Sequence, residues 1–337
     1  MNCGRLLIIL LVYLSLPSCR HARKPLSFYY WKTQFSLAPV EKAVLQDHQV
    51  QQLYVRYFDV DFAPDASQPQ PVSPIQLNND IRSYAIVPVV YIKNRTFEKL
   101  DTAGVTDLAK NVFHLVSQIN QSRQIKTAGI QFDCDWTVHT KDKYFQFIQQ
   151  YRALSNQRIS ATIRLHQVKY KERTGIPPVD HGVLMYYNMG EINSGNQNSI
   201  YERKIASRYN AYLKNYPLSL DLALPIFSWG YTIREGKVVQ LLNKINFGYF
   251  KNDSNFIPAG SNRFLTKHAC FKGGYYFQQQ DLVKLEQVPE QDLLDITDDI
   301  NRYASGKIRQ VIVYDLDSAN IVQYDKAIFK KVLDHLD

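Results

Sequence analysis

Hydrophobic and polar positions along this chain follow two periods in turn, one of two residues and one of about 3.6, and their succession predicts the architecture. In AGIQFDCDWT, residues 128–137, the apolar Ile130, Phe132 and Cys134 alternate with the polar Gln131, Asp133 and Asp135, which is the pattern of a strand with one greasy and one acidic face. A helix-period segment precedes it (Val105, Leu108, Val112, Leu115, Ile119) and another follows (Tyr144, Ile148, Tyr151, Leu154), so the unit reads as helix, parallel strand, helix. Strand patterns recur at residues 26–33, 52–59, 84–92, 127–135, 159–166, 182–188, 218–227 and 309–315, with helical patterns between most of them, for example at 199–216 and 320–336. The segment 60–80, with Pro64, Pro69, Pro71 and Pro74, reads as a loop with at most a short helix.

Eight strands alternating with helices predict an α/β fold of the (β/α)8, TIM-like barrel type over residues 26–337. A doubly wound open sheet is the alternative, but no Gly-rich phosphate turn follows the first strand. Between the seventh and eighth strands, residues 230–306 depart from the theme with scattered glycines and β-prone pieces such as GGYYFQQQDLVKL, then a helical pattern near 292–303. This predicts a β-rich insertion able to wall a cleft at the barrel mouth.

Both faces of a parallel barrel strand are ordinarily apolar, so two carboxylates and an amide at the C-terminal end of the fourth strand point to chemistry at that edge. Other strand ends agree. The second offers Arg56, Asp59 and Asp61; in the fifth, alternation sends Thr162, Arg164 and His166 to one face; the sixth to eighth supply Tyr187, Asn188, Trp229, Tyr314 and Asp315. Carboxylates mixed with aromatics suit a sugar, whose CH faces stack on rings while its hydroxyls bond to acids and amides. Asp133 and Asp135, two residues apart, have Cα atoms about 6.6 Å apart at roughly 3.3 Å per residue. Like charges that close do not both ionise cheaply, and the protonated one is a candidate acid, a role given to Asp135.

The N-terminus changes the setting. Arg5 precedes an apolar run from Leu6 to Leu16, too short for a bilayer span but fitting a signal peptide, residues 1–18. Leu16, Pro17, Ser18 and Cys19 resemble a bacterial lipobox, which implies acylation of Cys19, a tether over 19–25, and a protein anchored in the cell envelope through lipid. Cys134 and Cys270 are then the remaining cysteines, with Cys134 expected as a free core thiol. The formal net charge of +9 becomes +8 without Arg5, but Lys and Arg never run more than two in a row, so a solvated basic surface is expected rather than a nucleic-acid partner. No cofactor motif is read from the chain, and no HxxxH or HxH spacing marks a metal site.

The order of strand ends resembles that of family 18 glycoside hydrolases, the chitinase-like barrels, in which the fourth strand carries DGxDxDxE, the sixth MxYD and the eighth an aromatic floor. On this pattern Gln131 and Asp133 take the last two Asp positions, Asp135 the Glu position, Met185, Tyr187 and Asn188 the sixth-strand motif, and Tyr314 the floor; Ala128 and Gln131 replace the first two carboxylates, and the donor is Asp rather than Glu. The chain is also similar, over nearly its whole mature length, to an uncharacterised group of Bacteroidetes-type lipoproteins with segments like YVRYFDVD, KNRTFEKL and FDCDWT. The first resemblance implies a site of Asp135, Asp133 and Tyr187 acting on an N-acetylated glycan. Two acids on one strand do not flank a bond from both sides, which favours attack by the sugar's own acetamide, oriented by Asp133 and Tyr187. A non-catalytic glycan-binding barrel and, more distantly, a metal-dependent hydrolase using Asp133, Asp135 and His166 are the other readings.

Overall fold

A computed structural model describes residues 23–336 apart from 244 and 246, and only the backbone of Phe247. The signal-peptide and lipidation expectations, residues 1–18 and Cys19, therefore lie outside the described residues.

Eight parallel strands close into a barrel: β1 Leu26–Tyr30, β2 Gln52–Asp61, β3 Ala85–Ile92, β4 Ile130–Asp133, β5 Ile159–Arg164, β6 His181–Met185, β7 Leu220–Pro225 and β8 Ile308–Tyr314. Each pairs with its sequence neighbour, and β1 lies between β8 and β2, which completes the ring. Closure removes sheet edges, so the strands bury both faces. Outward residues meet helices: Phe132 packs on Phe147 and Tyr151 of the helix Lys141–Leu154, each ring pair at 4.9 Å. Cys134, on the same face, is a buried free thiol.

The interior is polar for a barrel core, and several of its polar groups are paired across the axis. Tyr29 and Gln131 bond through Gln131 Nε2 at 2.7 Å, and Tyr54 donates to Asp221 at 3.2 Å. Such pairing is what makes buried polar groups tolerable.

Several local expectations change. The strand β5 stops at Arg164, and His166 sits on the short helix Leu165–Lys169, so it does not share a strand face with Thr162 and Arg164. The cause is side-chain capping: Gln167 accepts from the Arg164 backbone N–H at 2.9 Å and turns the chain into a helix. β4 is shorter than 127–135, leaving Asp135 just beyond it. The 199–216 pattern forms the short helix Arg203–Ala206 and the 3-10 helix Asn210–Asn215, and 320–336 holds Ser318–Ile321 and Ile328–His335 rather than one helix. In 60–80, Gln70–Val72 adds antiparallel to the end of β2.

The excursion between β7 and β8 is a five-stranded antiparallel sheet running from Trp229 to Glu286, with its own core of Phe250, Phe256, Phe264, Phe277, Leu242 and Val283. After it, the helix Glu290–Ala304 packs on the 3-10 helix Asn210–Asn215 and the C-terminal helix Ile328–His335, within the outer layer of the barrel. Glu286 clamps the sheet to the loop after β6, accepting from Lys284 at 2.8 Å, Tyr231 at 2.7 Å, Trp229 Nε1 at 3.0 Å and the Ser199 backbone at 3.0 Å.

Candidate functional site

Strand register converts sequence positions into a convergent mouth. Tyr91 on β3 stands opposite Asp133 on β4, and Arg164 on β5 opposite Met185 on β6. Pro225 on β7 stands opposite Tyr314 on β8. The inward residues nearest the C-terminal strand ends thus meet around one axis.

A bulge in β2 adds a second carboxylate neighbour. The register against β3 shifts between Arg56 and Phe58, so Asp59 rather than Phe58 reaches the rim, where it lines the same cavity as Asp133. Arg56 itself is buried beneath, its Nε bonded to Asp59 at 2.7 Å and its Nη1 to the Ser73 carbonyl at 3.1 Å, and it supports Asp59 rather than facing a ligand. Asp61 turns away to Arg95, at 2.6 Å and 2.5 Å, and to Lys93.

The mouth has two lobes. One, of about 250 Å³, is lined by Asp59, Asp133 and Thr162 and by the rings of Tyr29, Trp31, Tyr91, Tyr187 and Tyr314. The other, of about 360 Å³, is bordered by Trp136, His166, Met189 and Tyr209. Asp135, Arg164, Met185, Tyr187 and Asn188 line both, so the ion pair of Asp135 and Arg164 stands at the junction.

The aromatic floor is a packed set. Tyr187 stacks on Tyr314 with centroids 5.4 Å apart and planes 23° from parallel, and Trp31 meets Tyr314 at 5.4 Å. Burial raises the hydroxyls of Tyr187 and Tyr314 well above their ordinary ionisation range, so both are neutral donors.

The two acids at the end of β4 have opposite environments. Asp133 is 8 % exposed and accepts from Thr162 Oγ1 at 2.7 Å. Burial, and then the charge of Asp135, push its carboxyl up to about 7. Asp135 is gripped at both oxygens: Arg164 Nε bonds Oδ1, and Nη2 bonds Oδ2 at 2.7 Å. Arg164 Nη1 also reaches the Asn188 carbonyl at 3.3 Å. Burial works against the charge on Arg164, but the hydrogen bond and charge of Asp135 outweigh it and hold the guanidinium ionised. His166, on the rim near this pair, is held below the usual imidazole range by burial and by the Arg164 charge.

Gln167 fixes both loops: besides the Arg164 N–H it donates to the Trp136 carbonyl at 3.1 Å, and Trp136 is itself tied to the Thr174 carbonyl at 2.9 Å. Asn188 holds a left-handed backbone, φ 53°, at the end of the sixth-strand motif.

Of the residues expected from sequence, Asp59, Asp133, Asp135, Arg164, Tyr187, Asn188 and Tyr314 line the mouth, and His166 borders its outer lobe. Others do not reach it. Gln131 is fully buried one layer below, bonded to the Tyr29 hydroxyl. Trp229 commits its indole N–H to Glu286 and packs on Phe227, and Asp315 accepts from Asn320 at 2.5 Å. Among the described residues, none of the antiparallel insertion lines either lobe.

Trp31, Tyr29 and Tyr91 were missed by sequence reasoning, whereas Thr162 and Met185 lie where the alternation and the sixth-strand motif put them. The signal was present for all three, because each lies an even number of positions from another inward residue of its strand. Among the described residues, no group of three His, Cys, Asp or Glu side chains is placed to hold a metal ion, Asp133, Asp135 and His166 included.

No family model and no curated protein matches the sequence. Solved structures do match the fold. The spore cortex-lytic enzyme SleL of Bacillus cereus superposes with a TM-score of 0.57 at 9% identity, over 93% of this chain and 74% of that one. A plant class V chitinase mutant from Cycas revoluta, in complex with (GlcNAc)3, gives 0.55 at 11% identity, over 92% and 99%. A GH18 chitinase from the same plant, in a complex with allosamidin, gives 0.52 at 11%, over 92% and 99%. The chain therefore shares the chitinase-like barrel fold.

Proposed function

We propose that the barrel mouth is a carbohydrate-binding cleft for an N-acetylated glycan, and that it holds the glycan without cleaving it. One observation carries this reading: Arg164 occupies both oxygens of Asp135, the carboxylate at the position from which a chitinase-like barrel would deliver its proton. With both oxygens accepting from a guanidinium, Asp135 has neither free to present a proton to a glycosidic oxygen, whereas the stacked rings and buried hydroxyls beside it remain suited to a sugar. The fold likeness to a chitinase in complex with (GlcNAc)3 supports the choice of ligand class. Calorimetric titration with chitotetraose, alongside a reducing-sugar assay of the same mixture, tests it. Saturable binding without release of shorter oligomers is expected; turnover abolished by Asp135→Asn would overturn it.

The second reading, a hydrolase, is favoured by Asp133, whose carboxyl at about 7 is protonated at mildly acidic pH and sits in the cavity. In that case turnover would survive Asp135→Asn and disappear with Asp133→Asn. For its setting, the Leu16 to Cys19 segment supports an acylated envelope lipoprotein.

A further inference from the structure

A cavity of about 760 Å³, larger than either lobe of the mouth, opens at the opposite pole, among the N-terminal ends of the barrel strands. That pole of a barrel normally serves stability and is closed by packed side chains. Here its floor is polar and wired. Ser27 donates to Gln310 Oε1 at 3.1 Å, and Gln310 Nε2 donates to the Tyr54 hydroxyl at 2.7 Å and to Asp221 at 2.8 Å.

One floor residue stands outside this network. His181, the first residue of β6, is 7 % exposed and lines the cavity, yet neither ring nitrogen has a hydrogen-bond partner of good geometry; Nε2 lies 3.2 Å from Asp221 Oδ2, off line. Buried imidazoles are rarely left so, and the open side of this one is the cavity.

The rim is cationic. Lys24, Arg158, Arg309 and Lys330 line it, and among its lining residues Asp47 is the one carboxylate. Arg309 lies 3.8 Å from the buried Asp221, while among the described residues Lys24, Arg158 and Lys330 form no ion pair. Cations at this pole also oppose the negative ends of the surrounding helices, which accounts for lysine and arginine there but not for His181, whose ring nitrogens make no hydrogen bond. Like charges around a concave, low-dielectric wall concentrate a positive field into the cavity.

We propose that this cavity binds a phosphate ester of a small polyol. Arg158, Arg309 and Lys330 take the phosphate, and His181, with the hydroxyls of Ser27 and Ser160 on the same floor, takes the polyol. The same chemistry has two sources: a free phosphate monoester, or the phosphodiester headgroup of a phosphatidylglycerol.

Calorimetric titration of the full chain at low salt with sn-glycerol 3-phosphate, and separately with dihexanoylphosphatidylglycerol below its micellar concentration, distinguishes the sources, with glycerol as control. Saturable binding of one or both probes is expected, weakened about tenfold by the exposed double substitution Arg158→Ala, Lys330→Ala and also weakened by His181→Gln. Trp31→Ala, in the mouth, should leave it unchanged, which separates this site from the glycan cleft. Binding of neither probe, or binding unaltered by the double substitution, would overturn the proposal.

Discussion

Thr162 Oγ1 donates to Asp133 at 2.7 Å from the neighbouring strand, and two residues further along that strand Arg164 takes Asp135. Successive same-face positions on β5 thus divide the two acids at the end of β4 into a buried carboxyl with a neutral partner and a carboxylate with a cation. The raised value of Asp133 follows from its burial and the neighbouring Asp135 charge.

Asp133 makes stability depend on pH in a defined direction. Its folded value of about 7 lies above the ordinary 3.8, so between those limits the folded chain holds the proton more tightly than the unfolded chain. Stability therefore declines as pH rises through this window, and the deficit is complete above it. At ~1.4 kcal/mol per pH unit the effect is at most ~4 kcal/mol. Thermal unfolding of Asp133→Asn, which keeps an acceptor for Thr162, should show a flatter pH profile than the wild type from pH 5 to 8. Parallel profiles would show that Asp133 titrates normally.

Removing the guanidinium should move the same proton further. Arg164 lowers the Asp133 value while the Asp135 charge raises it. In Arg164→Gln the Asp133 carboxyl should titrate above 7 by carbon NMR. The cost in stability should be modest, about 1 kcal/mol, because the pair is partly solvated.

Trp31 extends the aromatic floor by its contact with Tyr314 and lines the inner lobe. Trp31→Ala should weaken chitotetraose binding about tenfold or more, since loss of one stacking ring removes ~1.5–3 kcal/mol of apolar burial. Unchanged affinity would place the glycan elsewhere.

Glu286 and Lys284 are a pair with fully buried side chains. Glu286→Gln leaves the Lys284 charge uncompensated and turns into a donor one of the two oxygens that together accept from Lys284, Tyr231, Trp229 and Ser199. Denaturant unfolding should show a loss of about 3–5 kcal/mol, and the loop after β6 should become more open to proteolysis. A loss below 1 kcal/mol would mean that the clamp contributes little.

The proposed attachment to the envelope rests on the sequence Leu16, Pro17, Ser18, Cys19. Cys19→Ala should release the protein to the soluble fraction or leave the precursor uncleaved. Acyl labelling that persists in the variant would exclude Cys19 as the anchor.

The barrel was legible because its cause is periodic: eight alternating segments separated by helical ones have few ways to bury both faces of every strand. Alternation alone also decided that Gln131 and Asp133 face inward while Phe132 and Cys134 face the helices, since a one-residue slip would invert all four.

What the sequence left open were relations between distant segments and breaks in the periodic pattern. The β2 bulge brings Asp59 to the rim and leaves Arg56 beneath it, a shift of one residue that composition does not announce. His166 left its strand because Gln167, three residues after Arg164, caps a helix. Gln131 and Trp229 have the right residue types for sugar contact, but depth along the barrel axis and the Glu286 clamp decide otherwise. The pairing of Arg164 with Asp135, across 29 residues of sequence, exists because the crossover between β4 and β5 sets these strands side by side in a fixed register. Periodicity is a local property and can be read from the chain; which charge meets which depends on register, bulges and closure, and those belong to the folded barrel.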